Sequence, residues 1–387
     1  MKKSSQMTFH VVSLPHTQTT MEYEACAYTS KTRKFCNMMK SLGHKVYLYA
    51  SEENEANVDE LITIAPKDDQ QKWFGDNDFK QNFFNLTWNI EDEHWQNTNR
   101  RAISQIKKRI NKKDFICIIG GVCQKQIADA FPAHMSVEYG IGYEGVFAPF
   151  RVYESYSHMH YVQGKLNDDN GRFYDAVIPN YFEPENFQFK NKKEDYFLFL
   201  GRFIPRKGVE IAVEVTRRLG KRLVLAGQGV SKVEGNTIYG DDFSVSGDHI
   251  LHVGHANVAQ RSALLRNATA TFMATTYIEP FGGVAIESLL CGTPVIATDF
   301  GAFAENIQHG VHGYRFRTIG EAVWGAKNVH KLNNKKIHQY AVENFSVERV
   351  KYLYQAYFEQ LQTLWEEGFY SNWDKGVAKY QRYNKFS

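Results

Sequence analysis

Hydrophobic and polar positions alternate along the first half of the chain in a pattern that predicts buried strands separated by amphipathic helices. Apolar runs predict strands at 8–14, 45–51, 115–121 and 134–140, and helical spacing predicts a helix over 23–42 that ends before Gly43. Strands alternating with helices are typical of a parallel sheet covered on both faces.

The same pattern begins again after the polar segment 184–195, which we interpret as a linker. Strands are predicted at 195–203, 222–227, 249–254, 270–275 and 294–299, with helices at 208–220, 260–268 and 284–292. A long amphipathic helix is predicted over 346–368. We therefore expect an α/β chain of two Rossmann-like, doubly wound domains that face each other across a cleft. The predicted domain ranges are 1–183 and 184–369, and we expect the C-terminal helix to pack on the first domain. Residues 370–387 are predicted to form a C-terminal tail that returns to the first domain.

Composition narrows the class of protein only slightly. The net charge of +3 is too small to indicate a nucleic-acid or membrane partner. The five cysteines form no CxxC pair, which argues against a disulfide framework or a zinc site. The longest apolar run is too short to cross a bilayer, and the N-terminal residues do not read as a signal peptide. We expect a cytoplasmic protein.

The most informative stretch runs from Tyr277 to Ile307, "YIEPFGGVAIESLLCGTPVIATDFGAFAENI". Gly282 and Gly283 allow the backbone to approach a ligand, and the helix that begins near Val284 offers free N–H groups to a phosphate. Glu287 and Glu279 lie on either side of this turn, where carboxylates can accept hydroxyls from two polyols. A phosphate flanked by polyols describes a nucleotide-sugar; the simpler interpretation is an ordinary helix N-terminus.

A second candidate is the loop "GRFIPRKG" (201–208), which follows the first strand of the second domain. Arg202 and Lys207 can clamp a diphosphate there and stabilise it as it leaves. A solvated basic loop is the simpler interpretation. The position of this loop at the same sheet edge as the glutamate stretch favours a shared site.

With "LAGQG" (225–229) and "VIPNYFEPENF" (177–187), these motifs resemble the retaining GT-B glycosyltransferases of the sucrose-synthase/mannosyltransferase-like group, also called glycosyl transferases group 1. The resemblance covers about residues 175–365. It implies sugar transfer from a nucleotide-diphosphate-sugar to a hydroxyl, with retention at the anomeric carbon, by a hexosyltransferase type of enzyme.

The resemblance also implies roles for individual residues. Arg202 and Lys207 would contact the donor diphosphate, and Glu279 would bind the transferred sugar, so these three are the predicted catalytic residues. Glu287 would bind the nucleotide ribose. The other predicted donor-binding residues are Gly201, Phe281, Gly282, Gly283, Val284 and His16.

The first domain departs from the family pattern. Its first strand is followed by Pro15, His16 and Thr17 instead of the usual Gly-Gly loop, which puts donor contact from this side in doubt. Glu138 stands where the family often has a histidine, so we expect Glu138 and Tyr139 to contact the acceptor. His158 and His160 alternate with apolar residues and are predicted to lie on a strand.

No cofactor is expected beyond the donor, and the cationic clamp makes a divalent metal dispensable. Asp76-Asn77-Asp78 resembles the two-aspartate pattern of metal-dependent transferases of another fold, far from the phosphate loops in sequence. The basic run "IKKRINKK" (106–113) reads as a solvated helix end, and docking to DNA or an anionic membrane is its alternative.

Two other functions stay open at this point. One is an epimerase of the same fold, which needs an acid/base cluster in the cleft, with Glu138 and His16 as candidates. The other is a non-catalytic module that binds nucleotide-sugars, against which the complete Arg202, Lys207, Glu279 and Glu287 set argues. The acceptor could be a glycan, a lipid-linked sugar, a small molecule or a modified DNA base.

Overall fold

The computed structural model describes residues 6–76, 85–169 and 172–365. The predicted tail 370–387 lies outside this part of the chain, as do Asn77 and Asp78 of the two-aspartate pattern.

The first domain is built on a parallel sheet with helices on both faces. The described residues of this sheet have the strand order β3-β2-β1-β4-β5-β6-β7. The elements are β1 (Thr8–Val12), α1 (Ala27–Ser41), β2 (Lys45–Ser51), β3 (Glu60–Ala65), α2 (Lys67–Phe74), α3 (Glu93–Ile106), β4 (Phe115–Ile118), α4 (Lys125–Asp129), β5 (Met135–Ile141), β6 (Phe150–Tyr153), α5 (Tyr156–Lys165) and β7 (Asp175–Val177).

The second domain repeats this plan with the parallel strand order β13-β9-β8-β14-β15-β16 and adds a small antiparallel sheet, β10-β11-β12. The elements are β8 (Tyr196–Leu200), α6 (Val209–Leu219), β9 (Arg222–Ala226), β10 (Lys232–Glu234), β11 (Thr237–Tyr239), β12 (Ser244–Ser246), β13 (Ile250–His252), α7 (Val258–Asn267), β14 (Ala270–Met273), α8 (Gly283–Leu290), β15 (Val295–Thr298), α9 (Phe303–Asn306), β16 (Gly313–Phe316), α10 (Ile319–Asn328), α11 (Asn334–Phe345) and α12 (Val347–Gln362).

Continuous apolar runs explain why these strands are central. Every residue of β4, β14 and β15 is buried, as parallel strands covered on both faces require. Each domain encloses its own apolar cores on the two faces of its sheet. The prediction of two Rossmann-like domains is confirmed.

The C-terminal helix α12 belongs to the core of the first domain. Val350, Tyr354 and Phe358 of α12 are buried together with Phe9 and Phe35 of that domain. Phe358 lies edge-on to the ring of Phe9, with 4.7 Å between the ring centroids. The predicted packing of this helix on the first domain is therefore confirmed.

The chain crosses between the domains twice, and the two crossings are joined by backbone hydrogen bonds. Phe182 donates its N–H to the Phe345 carbonyl at 2.9 Å, and its own carbonyl accepts from Val347 at 2.8 Å. The predicted boundary at 183/184 falls beside this joint.

One local prediction is wrong. His158 and His160 lie on helix α5 and not on a strand. The helix starts there because the Ser155 hydroxyl accepts from the His158 N–H at 3.0 Å and so caps the first turn.

Candidate functional site

A cavity of about 300 Å³ lies between the two domains, and the predicted donor-binding segments of the second domain meet in it. Parallel strands point their carboxyl ends at one edge of a sheet, so the loops that follow β8, β9 and β14 come together. Its lining includes Gly201, Arg202, Lys207, Gly227, Gln228, Glu279, Gly282, Gly283, Val284 and Glu287. The structure thus brings together two motifs that are about eighty residues apart in sequence.

The glycine turn before α8 has a geometry that only glycine tolerates well. Gly282 has φ +79°, and a Cβ there would collide with the ring of Phe303. Position 282 therefore has no room for a side chain, and the backbone leads directly from it into α8. No side chain caps α8, and Ala285 donates its N–H to the Gly282 carbonyl at 2.9 Å. The N–H groups of Gly283 and Val284, at the start of the helix, are the ones that can face an anion at the cavity.

Lys207 and Glu279 form the charged centre of the site. The Lys207 Nζ donates to Glu279 Oε2 at 2.8 Å and to the Tyr277 hydroxyl oxygen at 2.6 Å. The Tyr277 hydroxyl donates to the same Glu279 oxygen at 2.6 Å. Burial and the neighbouring Glu279 carboxylate raise the pKa of Tyr277 well above its usual range. Tyr277 therefore stays a neutral donor, and it was missed by sequence reasoning although it opens the stretch.

Tyr277 is also held from the other side by a cation. The Arg206 guanidinium carbon lies 3.9 Å from the centroid of the Tyr277 ring, which is cation–π distance. Arg206 and Lys207 both belong to the loop after β8, so this loop contacts the ring of Tyr277 through Arg206 and its hydroxyl through Lys207.

Glu287 is buried on α8 beside a cation from α7. One carboxylate oxygen, Oε1, accepts from the Arg261 guanidinium. The other, Oε2, is buried without a hydrogen-bond partner among the described residues. A buried carboxylate oxygen is costly without a donor, so this atom fits a ligand hydroxyl. Arg261 was not predicted; it lines the cavity and also a neighbouring one of about 330 Å³.

Arg202 lines the cavity with an exposed side chain, and Gly201 brings its backbone close to Gly227. A Cβ on Gly227 would collide with the Gly201 carbonyl, so the close approach of the two loops requires glycine at position 227. Phe281 is buried beneath the loop, where its ring packs against Phe182. Phe281 supports the loop, and its side chain does not line the cavity.

The first domain contributes one face of α1 to the cavity. Ala27, Ser30 and Lys34 line it, together with Glu24 from the loop before the helix. The Lys34 Nζ lies 3.2 Å from Glu24, and the Ser30 hydroxyl donates to the same carboxylate at 2.6 Å. These residues were not predicted, because the sequence of a helix does not distinguish a face that lines a cleft from one that faces solvent.

The Glu24 carboxyl group is stabilised in its ionised form by its neighbours. Burial alone would raise the pKa of Glu24, but Lys34, Arg33 and the Ser30 hydrogen bond together lower it to about 2. Arg33 also donates to Glu183 at 2.6 Å, which ties α1 to the first crossing between the domains.

Glu138 and Tyr139, the predicted acceptor residues, do not line the cavity between the domains, and their contact with the acceptor stays a prediction. Both side chains are fully buried inside the first domain. Glu138 accepts from the backbone N–H groups of Phe147 and Ala148 at 2.9 and 2.8 Å, so it holds a loop in place. Burial raises the pKa of Glu138. Tyr139 stacks on Phe35 with 4.4 Å between ring centroids.

His16 does not contact the donor cavity in this structure. Its Nε2 lies 3.7 Å from the Cys26 sulfur, and its ring meets the edge of Phe74. Burial, with His94 nearby, lowers the pKa of His16 to about 3, so the ring is neutral near pH 7. His16 thus lies beside Phe74 of α2, and its role in donor binding stays a prediction.

Within 6–76, 85–169 and 172–365, no three His, Cys, Asp or Glu side chains come together as metal ligands. No helix in the same ranges is long and apolar enough to cross a membrane. In the basic run, Arg109 donates to Glu60 at 3.0 Å.

The match to a family of known proteins lies in the second domain. Residues 182–343 match the family described as glycosyl transferases group 1. The uncharacterized glycosyltransferase MJ1178 of Methanocaldococcus jannaschii is 26% identical over 186 residues, covering 48% of this chain and 51% of that protein. A phosphatidyl-myo-inositol mannosyltransferase of Mycobacterium tuberculosis is 28% identical over 153 residues, covering 36% and 39%. The chain thus spans about half the length, or less, of these curated relatives.

The whole fold has solved counterparts. The structure of Anabaena Alr3699/HepE in complex with UDP and glucose aligns with a TM-score of 0.62 at 14% identity, covering 92% of this chain and 100% of that one. Such a likeness shows the arrangement of two facing Rossmann-like domains, known as GT-B. The predicted fold class is confirmed on both sheets.

Proposed function

Because residues 182–343 match the glycosyl transferases group 1, we propose that the protein transfers a sugar from a nucleotide-diphosphate-sugar to a hydroxyl acceptor. The observation that carries this proposal is the meeting of Lys207, Glu279 and Glu287 with the bare N-terminus of α8 in one cavity. This set supplies one cation and backbone N–H groups for a diphosphate, and two carboxylates for hydroxyls.

The diphosphate would lie between the α8 N-terminus and the loop after β8. Arg202 and Lys207 carry fixed positive charge, and the helix dipole adds to it. As the bond between the anomeric carbon and the phosphate oxygen breaks, its electron pair leaves with the diphosphate. Charge developing on that oxygen is therefore stabilised by groups already in place.

The two carboxylates would then hold the polyols. Glu287 Oε2, buried and without a described partner, accepts a ribose hydroxyl, and Arg261 keeps the carboxylate oriented through Oε1. Glu279 accepts hydroxyls of the transferred sugar. In the structure its carboxylate is held by Lys207 and Tyr277, so donor binding would exchange one of these hydrogen bonds for a sugar hydroxyl.

In the proposed mechanism, the configuration at the anomeric carbon is retained because the acceptor attacks from the front face. The acceptor oxygen bonds to the anomeric carbon on the face that the diphosphate leaves, and the acceptor proton passes to the departing phosphate oxygen. This route needs no general base from the protein. It also needs no metal ion, because Arg202, Lys207 and the α8 N-terminus take up the charge.

Uridine diphosphate sugars are the first donors to test, because HepE, which shares the fold, was solved with UDP and glucose. A thermal-shift screen over UDP-, GDP- and ADP-sugars identifies the donor, and mass spectrometry of products formed in cell extract identifies the acceptor. Donor hydrolysis or transfer, unchanged by EDTA, is expected. A protein that binds none of these donors would contradict the proposal.

The two alternatives give different products in the same assay. An epimerase releases a C2 epimer of the donor sugar without any acceptor, and a binding module stabilises the protein without turnover. The acid/base cluster that an epimerase needs is not supported by Glu138 and His16, which lie away from the cavity.

A further inference from the structure

The loop 274–282, which precedes α8 and is called the donor loop below, is held by hydrogen bonds from both domains. Three consecutive carbonyl groups of this loop accept hydrogen bonds: Glu279 from the Ala302 N–H at 3.0 Å, Pro280 from the Ser155 hydroxyl at 2.6 Å, and Phe281 from the Asn306 side-chain amide at 2.9 Å. Ala302 and Asn306 belong to the second domain, as the loop does. Ser155 belongs to the first.

Ser155 is itself fixed by the first domain. The residue before it, Glu154, is buried and forms an ion pair with Lys31 of α1. Lys31 also donates to the Gly140 carbonyl at 2.7 Å, which anchors this pair on β5. Because Ser155 is itself buried, its hydroxyl has little freedom to turn away from Pro280.

A second contact crosses the cleft beside the first. The Glu305 carboxylate of α9 accepts from the N–H groups of Tyr156 and Ser157, at 2.9 and 2.6 Å, at the start of α5. A negative charge is favourable at a helix N-terminus. Helix α9 therefore holds the donor loop through Asn306 and the first domain through Glu305.

We propose that Ser155 and Glu305 are positioning residues that set the donor loop only when the two domains are closed. The inference rests on the proposed function, since the loop they hold carries Glu279. Closure would place the Ser155 hydroxyl on Pro280 and so fix the carboxylate that binds the sugar. Opening would release that carbonyl, which favours exchange of donor and product.

Two substitutions separate the loop contact from the helix cap. In Ser155→Asp the side chain can still cap α5, but an ionised carboxylate cannot donate to the Pro280 carbonyl. In Ser155→Asn the side chain can both cap and donate. Glu305→Gln removes the charge at nearly constant size. Glu144→Gln is the control, because Glu144 pairs with Lys165 on the exposed surface of the first domain.

Donor hydrolysis by the wild-type protein is measured first, because its absence would count against the proposed function and not against the positioning role. With an active wild type, Ser155→Asp is expected to lower kcat about tenfold or more, since small misplacements in a site have effects of this size. UDP affinity should stay within about threefold, because UDP lacks the sugar. Ser155→Asn should keep kcat within about threefold of the wild type, as a partial rescue.

Domain closure provides the second readout. Dyes on Lys112→Cys and Lys335→Cys, exposed positions of the two domains, report the interdomain distance by FRET with and without UDP. Glu305→Gln should reduce the closed fraction in UDP, whereas Glu144→Gln should not. The proposal is overturned if Ser155→Asp keeps wild-type kcat, or if the Asp and Asn variants lose activity equally and in step with their unfolding temperature. It is also overturned if Glu305→Gln closes as the wild type does.

Discussion

The two domains contribute to the cavity in different ways. The second domain supplies short contiguous motifs at strand ends, where Gly282 and Gly283 leave a helix N-terminus bare and Lys207 meets Glu279. The first domain supplies one face of a helix, with Ser30 and Lys34 on successive turns. A motif at a strand end is visible in sequence, whereas a helix face that lines a cleft looks the same as one that faces solvent.

The comparison also explains where sequence resemblance stops. The family match covers residues 182–343, which include the strand-end loops that line the cavity. In the proposed function, these loops bind the diphosphate and the ribose that all such donors share. The facing helix would then lie on the side of the acceptor, which differs between enzymes.

Removing the charged centre of the second domain should have the largest effect. Lys207→Ala and Glu279→Ala are each expected to lower kcat about a hundredfold or more, as removal of a preorganised charge-stabilising group does in other enzymes. The matched control is Lys221→Ala, because Lys221 pairs with Asp195 on the surface of the same domain. Near-normal turnover in both site variants would remove the basis of the site assignment.

The first domain should respond to Glu138→Ala in stability and not in acceptor binding. The substitution leaves the N–H groups of Phe147 and Ala148 without their acceptor, which costs about 2–3 kcal/mol of unfolding free energy. Glu138→Gln, which keeps one acceptor oxygen, should lose less. Urea titration measures both. A changed KM for the acceptor at unchanged stability would restore the acceptor role that burial argues against.

Gly282→Ala should destabilise the second domain by about 1–2 kcal/mol, because the left-handed backbone and the ring of Phe303 both oppose a Cβ. Gly310→Ala is the control, since Gly310 has φ +78° with open space around it. It carries the backbone strain without the collision. Equal losses in the two variants would show that the crowding against Phe303 has no energetic weight.

The smallest expected effect is a pH dependence from the first domain. The pKa of Glu24 is about 2 in the folded protein, below its ordinary value of 4.5. Its contribution to stability is therefore complete above about pH 4.5 and is lost as the pH falls toward 2. The difference in unfolding free energy between wild type and Glu24→Gln should shrink by about 1 kcal/mol from pH 5 to pH 3.5. A difference that stays constant over this window would show that Lys34 and Arg33 do not hold the carboxylate.

Several elements of the fold followed from sequence because their periodicity is strong. The second strand, Lys45–Ser51, has the predicted bounds, and the helix predicted over 208–220 is observed as Val209–Leu219, with Gly220 as its C-cap. Strand Phe150–Tyr153 was not predicted, because it carries the buried Arg151 and lies in an aromatic segment without alternation. The sheet 232–246 was missed because its strands have three residues each and are largely exposed.

The candidate site was predicted on one side for the same kind of reason. Lys207, Glu279 and Glu287 stand in motifs whose spacing has a physical meaning on its own. Glu24, Lys34 and Arg261 acquire meaning only through neighbours distant in sequence, such as Arg261 against Glu287, 26 residues away. The predicted roles of Arg202, Lys207, Glu279 and Glu287 remain predictions that the variants above address.

The joint at Phe182 and Phe345 has a consequence for how the protein is made. The core of the first domain includes residues of α12, which the ribosome synthesises after the whole second domain. During translation the core of the first domain stays incomplete, because the surface that Val350, Tyr354 and Phe358 cover is still exposed. The second domain can fold before that surface is covered. The domain that comes first in the sequence is thus the last to be completed, and a nascent chain stalled before residue 347 would expose that apolar surface to chaperones.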